Sequence, residues 1–217
     1  MLIAKMKDPV SALTHLLGIV LAIIGLVILL YFAAVKATVW HIVSFAVFGS
    51  SMILLYTAST LYHSLKLSEK GTKILRKVDH MMIYVLIAGT YTPVTLIPLR
   101  GAWGWSLFGS IWAIAVAGIL LKVFWFDAPR WFSTLFYTVM GWLVVIAFYP
   151  LMQTVPPAGI SWLVAGGTLY TIGAVIYGTK WPKITSQVFG FHEIFHLFVL
   201  GGSFCHFWFM IKYVLYL

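Results

Sequence analysis

The segment His192-Glu193-Ile194-Phe195-His196 places two imidazoles four residues apart. On a helix that spacing puts both rings on one face, about 6 Å apart along the axis. One helix can thereby offer two ligands to one divalent metal. The pattern resembles the zinc motif of soluble proteases, though alone it is short and common.

A third ligand would give the pair meaning, and His63 is the candidate. Three neutral imidazoles leave a fourth tetrahedral position for water, the arrangement of catalytic rather than structural zinc. Asp79 would then orient that water or take its proton, and Ser59, one turn before His63, would hydrogen-bond the water or a substrate oxygen. The competing reading is that these residues cap helices among lipid headgroups and bind nothing. Which reading holds depends on whether the elements that carry them present the same ends to the same side.

Those elements are membrane helices. Of 217 residues, 62% are hydrophobic and only 9% are charged, against about 25% charged in soluble domains. Seven segments approach the roughly 20 apolar residues that a crossing needs: Val10–Val35, Val39–Tyr62, His80–Pro98, Trp105–Trp125, Trp131–Tyr149, Ile160–Tyr177 and His192–Leu215. The expected fold is an all-α seven-transmembrane-helix bundle forming one domain over residues 1–217. The first segment is too long for a signal-peptide core and reads as a crossing. A single cysteine, Cys205, excludes an intrachain disulfide and a thiolate metal cluster.

The formal charge of +9 would suggest nucleic acid in a soluble protein. Here the cations lie in short loops between apolar runs, so no nucleic-acid partner is expected and the charges report orientation. Lys5, Lys7, Lys66, Lys70, Lys73, Arg76, Lys77, Lys122, Arg130, Lys180 and Lys183 fall on one side, against Lys36, Arg100 and Lys212 on the other. The positive-inside rule places the N-terminus in the cytoplasm and the C-terminus outside. His63, His192, His196, Asp79 and Ser59 then share one layer at the cytoplasmic face.

The remaining ionisable groups read more simply. His15 lies near the same layer, either supporting the site or packing at the interface. His80 points about 100° away from Asp79 and reads as interfacial. His206 is about 15 Å deeper than His196, a buried interhelical hydrogen-bonder. His41 reads as structural, Glu193 as interfacial, and Asp8, Glu69 and Asp127 as solvated. A retinal lysine is excluded, since Lys212 lies near the outer end of the last helix, and an i, i+4 pair cannot supply two axial ligands to a haem.

Ser59-Thr-Leu-Tyr-His63, Asp79 after a basic loop, Ile87-Ala-Gly-Thr-Tyr-Thr-Pro93 and Phe191-His-Glu-Ile-Phe-His196 occur in the order of the hemolysin III family, which this chain resembles along nearly its whole length. That family is the bacterial branch of the progestin and adipoQ receptor superfamily. The resemblance implies Zn2+ at His63, His192 and His196, Asp79 acting through a water, Ser59 in the site, and a multi-pass location in the bacterial inner membrane. Asp8 and Ser11 stand where members often carry a Glu and an Asn ahead of the helix-one Thr-His. The family is grouped with alkaline ceramidases among proposed membrane hydrolases, and its bacterial members are linked to haemolysis and membrane energetics.

Three functions are therefore expected to compete. The first is a zinc-dependent hydrolase of a lipid amide or ester, with membrane lipids as partners and a role in membrane homeostasis. The second is a non-enzymatic sensor or regulator of the membrane with structural zinc. The third is a membrane-perturbing hemolysin. A homo-oligomer is compatible with each.

Overall fold

The computed structural model describes residues 6–184, 186 and 189–217; Lys5, counted above for orientation, lies outside them. Every regular element among the described residues is helical, and none is a strand. The long elements are α1 (Pro9–Lys36), α2 (Val39–Ser64), α3 (Glu69–Leu96), α4 (Ala102–Phe124), α5 (Arg130–Trp142), α6 (Phe148–Thr154), α7 (Pro157–Thr179) and α8 (Phe191–Lys212). Six stretches are long and apolar enough to cross a membrane: α1, α2, α4, Arg130–Thr154, α7 and Phe191–Tyr216.

The side-chain distribution is that of a protein solvated by lipid. In α1, Leu17, Leu21, Ile24, Val27 and Tyr31 are exposed, while Ser11, His15, Gly18, Ala22, Gly25 and Ala33 are buried. Large apolar groups face out and small or polar ones face in, as expected where helix contact depends on close packing rather than on escape from water. The chain is a multi-pass membrane protein.

Helix α3 is not among the six stretches. It starts at Glu69, with the Ser68 side chain accepting from Gly71 N–H, eleven residues before the expected crossing at His80. Lys70, Lys73, Arg76 and Lys77 therefore lie on helix rather than in a loop. Its second half is buried almost throughout, from Ala88 to Leu96. A stretch so enclosed touches other helices instead of lipid, so it tolerates Thr90, Thr92 and Thr95, each donating its hydroxyl to a carbonyl of the preceding turn.

The expected Trp131–Tyr149 helix is interrupted. Between α5 and α6 the backbone tightens into a 3-10 turn at Leu143–Ala147. Tyr91 of α3 services the break: its Oη donates to the Gly141 carbonyl at 2.7 Å and accepts from Val144 N–H at 2.8 Å. Backbone groups freed inside a membrane need such partners.

Helices α1, α2, α3, α5, α7 and α8 contact one another in sequence around a ring, α1 closing on α8, and α4 packs outside against α3. Gly166 of α7 and Gly202 of α8 let these two helices pack closely. A Cβ on Gly166 would stand 2.6 Å from the His206 ring, and one on Gly202 would stand 2.7 Å from the Tyr170 ring.

Candidate metal centre

Three histidines from two helices converge at one end of this ring. His63 comes from the last turn of α2, and His192 and His196 from the first turns of α8. One ring nitrogen from each lies within 4.8 Å of the others, and Nε2 of His63 is 3.1 Å from Nε2 of His192. His63 and His196 are buried, at 3% and 2% exposure.

Neighbouring groups set the tautomers of two of these rings. Asp8 Oδ2 lies 2.9 Å from His63 Nδ1. A carboxylate at neutral pH can only accept, so Nδ1 carries the proton and Nε2 keeps its lone pair. Thr14 Oγ1 donates to the Ser11 carbonyl at 2.9 Å and lies 3.3 Å from His196 Nδ1. Its one proton being used, the hydroxyl accepts from His196 Nδ1–H, and the His196 Nε2 lone pair is likewise free. Histidines that ligate metals are characteristically held this way through the opposite nitrogen. Tetrahedral zinc–imidazole bonds of about 2.0–2.1 Å place ligand nitrogens roughly 3.3 Å apart, near the His63–His192 separation. The residues present fit a cation of this type, and the cluster could hold a metal ion.

The first turns of α1 supply that support, an assignment that sequence periodicity missed. Asp8, read as solvated, also donates its backbone N–H to the His63 carbonyl at 2.9 Å. Glu193, read as interfacial, accepts from Ser11 Oγ through Oε1 and from Gly190 N–H through Oε2, which ties α1 to the start of α8. The residues ahead of Thr14-His15 were the available signal.

Asp79 and Ser59 line, with His192 and His196, a cavity of about 170 Å³. Ser59 and Asp79 are neighbours in its wall. Away from the histidines the walls are mostly apolar and extend as deep as His206. Trp142, Val145 and Val164 line it and are also exposed at the outer surface, so the cavity wall between α5 and α7 borders lipid.

Over residues 3–207 the chain matches the family model described as Haemolysin-III related. The chain belongs to that family. A protein named Hemolysin-3 homolog from Bacillus subtilis (strain 168) is 47% identical over 211 residues, covering 95% of each chain. Hemolysin-3 of Bacillus cereus is 44% identical over 209 residues, 96% of this chain and 92% of that one. The Homo sapiens protein named Monocyte to macrophage differentiation factor is 25% identical over 215 residues, 96% of this chain and 84% of its own.

The other histidines of this haemolysin-III family member fall into place by contact. His15 is buried and stacks on His196, ring centroids 3.6 Å apart and planes 6° from parallel, with neither nitrogen hydrogen-bonded. It lies outside the three-histidine group. His80, read as interfacial, lines the cavity, and its Nε2 is 3.4 Å from Tyr177 Oη. His206 is buried against the Tyr170 ring, and its Nδ1 has no partner, so packing rather than a hydrogen bond at that atom places it. His41 is structural, bridging Thr38 and the Val214 carbonyl.

Proposed function

We propose that the chain crosses the bacterial inner membrane seven times, α3 being the seventh crossing, with its N-terminus in the cytoplasm. The support is the burial of the second half of α3 among its neighbouring helices together with the asymmetry of Lys and Arg. Reporter fusions after Leu217 and before Met1 are expected to report opposite sides; the same side for both would refute the count.

Within that frame we propose a metal-dependent hydrolase acting on a lipid amide or ester. The carrying observation is an imidazole trio at the end of an apolar, lipid-bordering cavity that also holds a carboxylate and a hydroxyl. His63, His192 and His196 would hold Zn2+, which supplies Lewis acidity when bound. The apolar walls would take the lipid chain and exclude water. Asp79 would hold or move the proton of the attacking water, and Ser59 would orient the Asp79 carboxylate. Purified protein with one zinc per chain is expected to cleave members of a lipid amide and ester panel, and Asp79→Asn to keep zinc while losing turnover by orders of magnitude. A zinc-loaded wild type inert across that panel would sink the proposal.

A second reading, a membrane-state regulator with structural zinc, is favoured by one observation. The histidines join α2 to α8, and their partners Asp8 and Thr14 add α1, which is a clamp whether or not chemistry follows. It predicts chelator-sensitive stability in wild type and Asp79→Asn alike, with no turnover in either. The names of the Bacillus relatives add a lytic reading, for which dye release from defined liposomes, insensitive to His196→Ala, is the distinguishing result.

A further inference from the structure

Beside the histidine cavity, α3, α4, α5 and α7 enclose a second pocket of about 290 Å³. Arg76, Lys122 and Arg130 line it, with Ser133, Tyr137 and Tyr177. Lys122 stands at the end of the inward stripe of α4, is 2% exposed, and donates from Nζ to Ser133 Oγ. Arg130 lies with its guanidinium 4.8 Å from the Tyr177 ring, and its Nη1 is buried without a hydrogen-bond partner. Arg76 lies 5.4 Å from the Phe126 ring.

Among the described residues none of these cations has a carboxylate within 4.0 Å, and the ion pairs within that distance both use Asp8. Asp127 lines the pocket but is exposed and pairs with none of the three, and Asp79 lines the histidine cavity instead. Burying an ammonium and a guanidinium N–H is costly unless an opposite charge and further hydrogen bonds meet them. An oxyanion supplies both at once.

We propose that the Arg76–Lys122–Arg130 pocket is a phosphate-binding site. A guanidinium fork and a lysine point charge together suit phosphate oxygens, and Ser133, Tyr137 and Tyr177 add hydroxyls to the same wall. Basic pockets between membrane helices at headgroup level take anionic lipid heads. His80, Ile83, Tyr137 and Tyr177 line this pocket and the histidine cavity alike, so a phospholipid headgroup here would sit one wall away from the apolar channel. The phosphate belongs either to such a headgroup or to a free anion, and the site stands independently of any chemistry at the histidines.

The test uses the full chain in phosphatidylcholine nanodiscs. One arm titrates inorganic phosphate and follows thermal unfolding; the other offers phosphatidylglycerol and counts retained lipid by native mass spectrometry. Wild type is expected to respond in at least one arm. Lys122→Met and Arg130→Gln are each expected to weaken that response about tenfold or more, the usual scale for a lost charge-assisted hydrogen bond. Arg76→Gln, an exposed position, should weaken it in a chain whose folding is not at risk. Phosphatidylglycerol retention alone assigns a headgroup site, and stabilisation by phosphate assigns a free-anion site. No response in either arm, or equal responses in wild type and all three variants, would overturn the proposal.

Discussion

Asp8 grips His63 twice, once from the backbone and once from the side chain, both at 2.9 Å. The first contact fixes where the chain enters α1 relative to the end of α2. The second fixes the His63 tautomer and aims its Nε2 lone pair at His192. Removing the carboxylate is therefore expected to loosen a metal rather than abolish its site. Asp8→Ala should lower zinc affinity about 10- to 100-fold, the range for partners that orient a ligand, measured by competition with a chromophoric chelator. Asp8→Asn can still accept from Nδ1–H and should fall between. Unchanged affinity in Asp8→Ala would show that His63 is not a ligand held this way.

His15 offers a sharper discrimination. Its ring stacks on His196, yet both nitrogens are buried and unpaired, an arrangement that costs about 1–3 kcal/mol per group. Phenylalanine preserves the stacked ring and removes the unsatisfied atoms. His15→Phe is expected to keep zinc stoichiometry and to unfold at the same temperature as wild type or above it. Loss of the metal in that variant, with the fold intact by circular dichroism, would make His15 a ligand.

The helices and the imidazole trio were legible in the sequence because both follow from simple periods: runs of apolar residues for the crossings, and i, i+4 spacing plus topology for His63, His192 and His196. The support from Asp8 and Glu193 was not, because the direction of a side chain at a helix entrance is set by neighbours far along the chain. His80 shows another limit. Its rotation of about 100° from Asp79 does not turn it towards lipid, because the turned-away face meets Tyr177 of α7. The break after Trp142 was equally hidden, since the hydroxyl that stabilises it belongs to Tyr91.

Metal removal should be felt as lost tertiary stability. A ligand that binds only the folded state contributes about 2.7 kcal/mol at 100 times its dissociation constant, and here it would join α2 to α8. Zinc-loaded wild type is expected to melt several degrees higher than the same protein in excess chelator. His63→Ala and His196→Ala should melt at one temperature with or without zinc. A zinc-dependent increment that survives in both variants would place the metal elsewhere.

Close packing of α7 on α8 gives a prediction independent of any ligand. An added Cβ at Gly166 would stand 2.6 Å from His206 Nε2, on a buried ring flanked by Tyr170. That ring stacks on Tyr170, whose hydroxyl belongs to the Tyr170–Ser203–Tyr56 chain, so a shift of His206 gives up that stacking. Overpacking of this kind costs about 1–3 kcal/mol, more than the roughly 0.5–1 kcal/mol gained by replacing a helical glycine with alanine. At Gly109 of α4, by contrast, nothing lies within 4 Å of the new Cβ, so only the gain applies. Gly166→Ala is expected to lower the unfolding temperature in detergent and Gly109→Ala to leave it unchanged or raise it. Equal effects at the two positions would mean that the α7–α8 contact is looser than the structure describes.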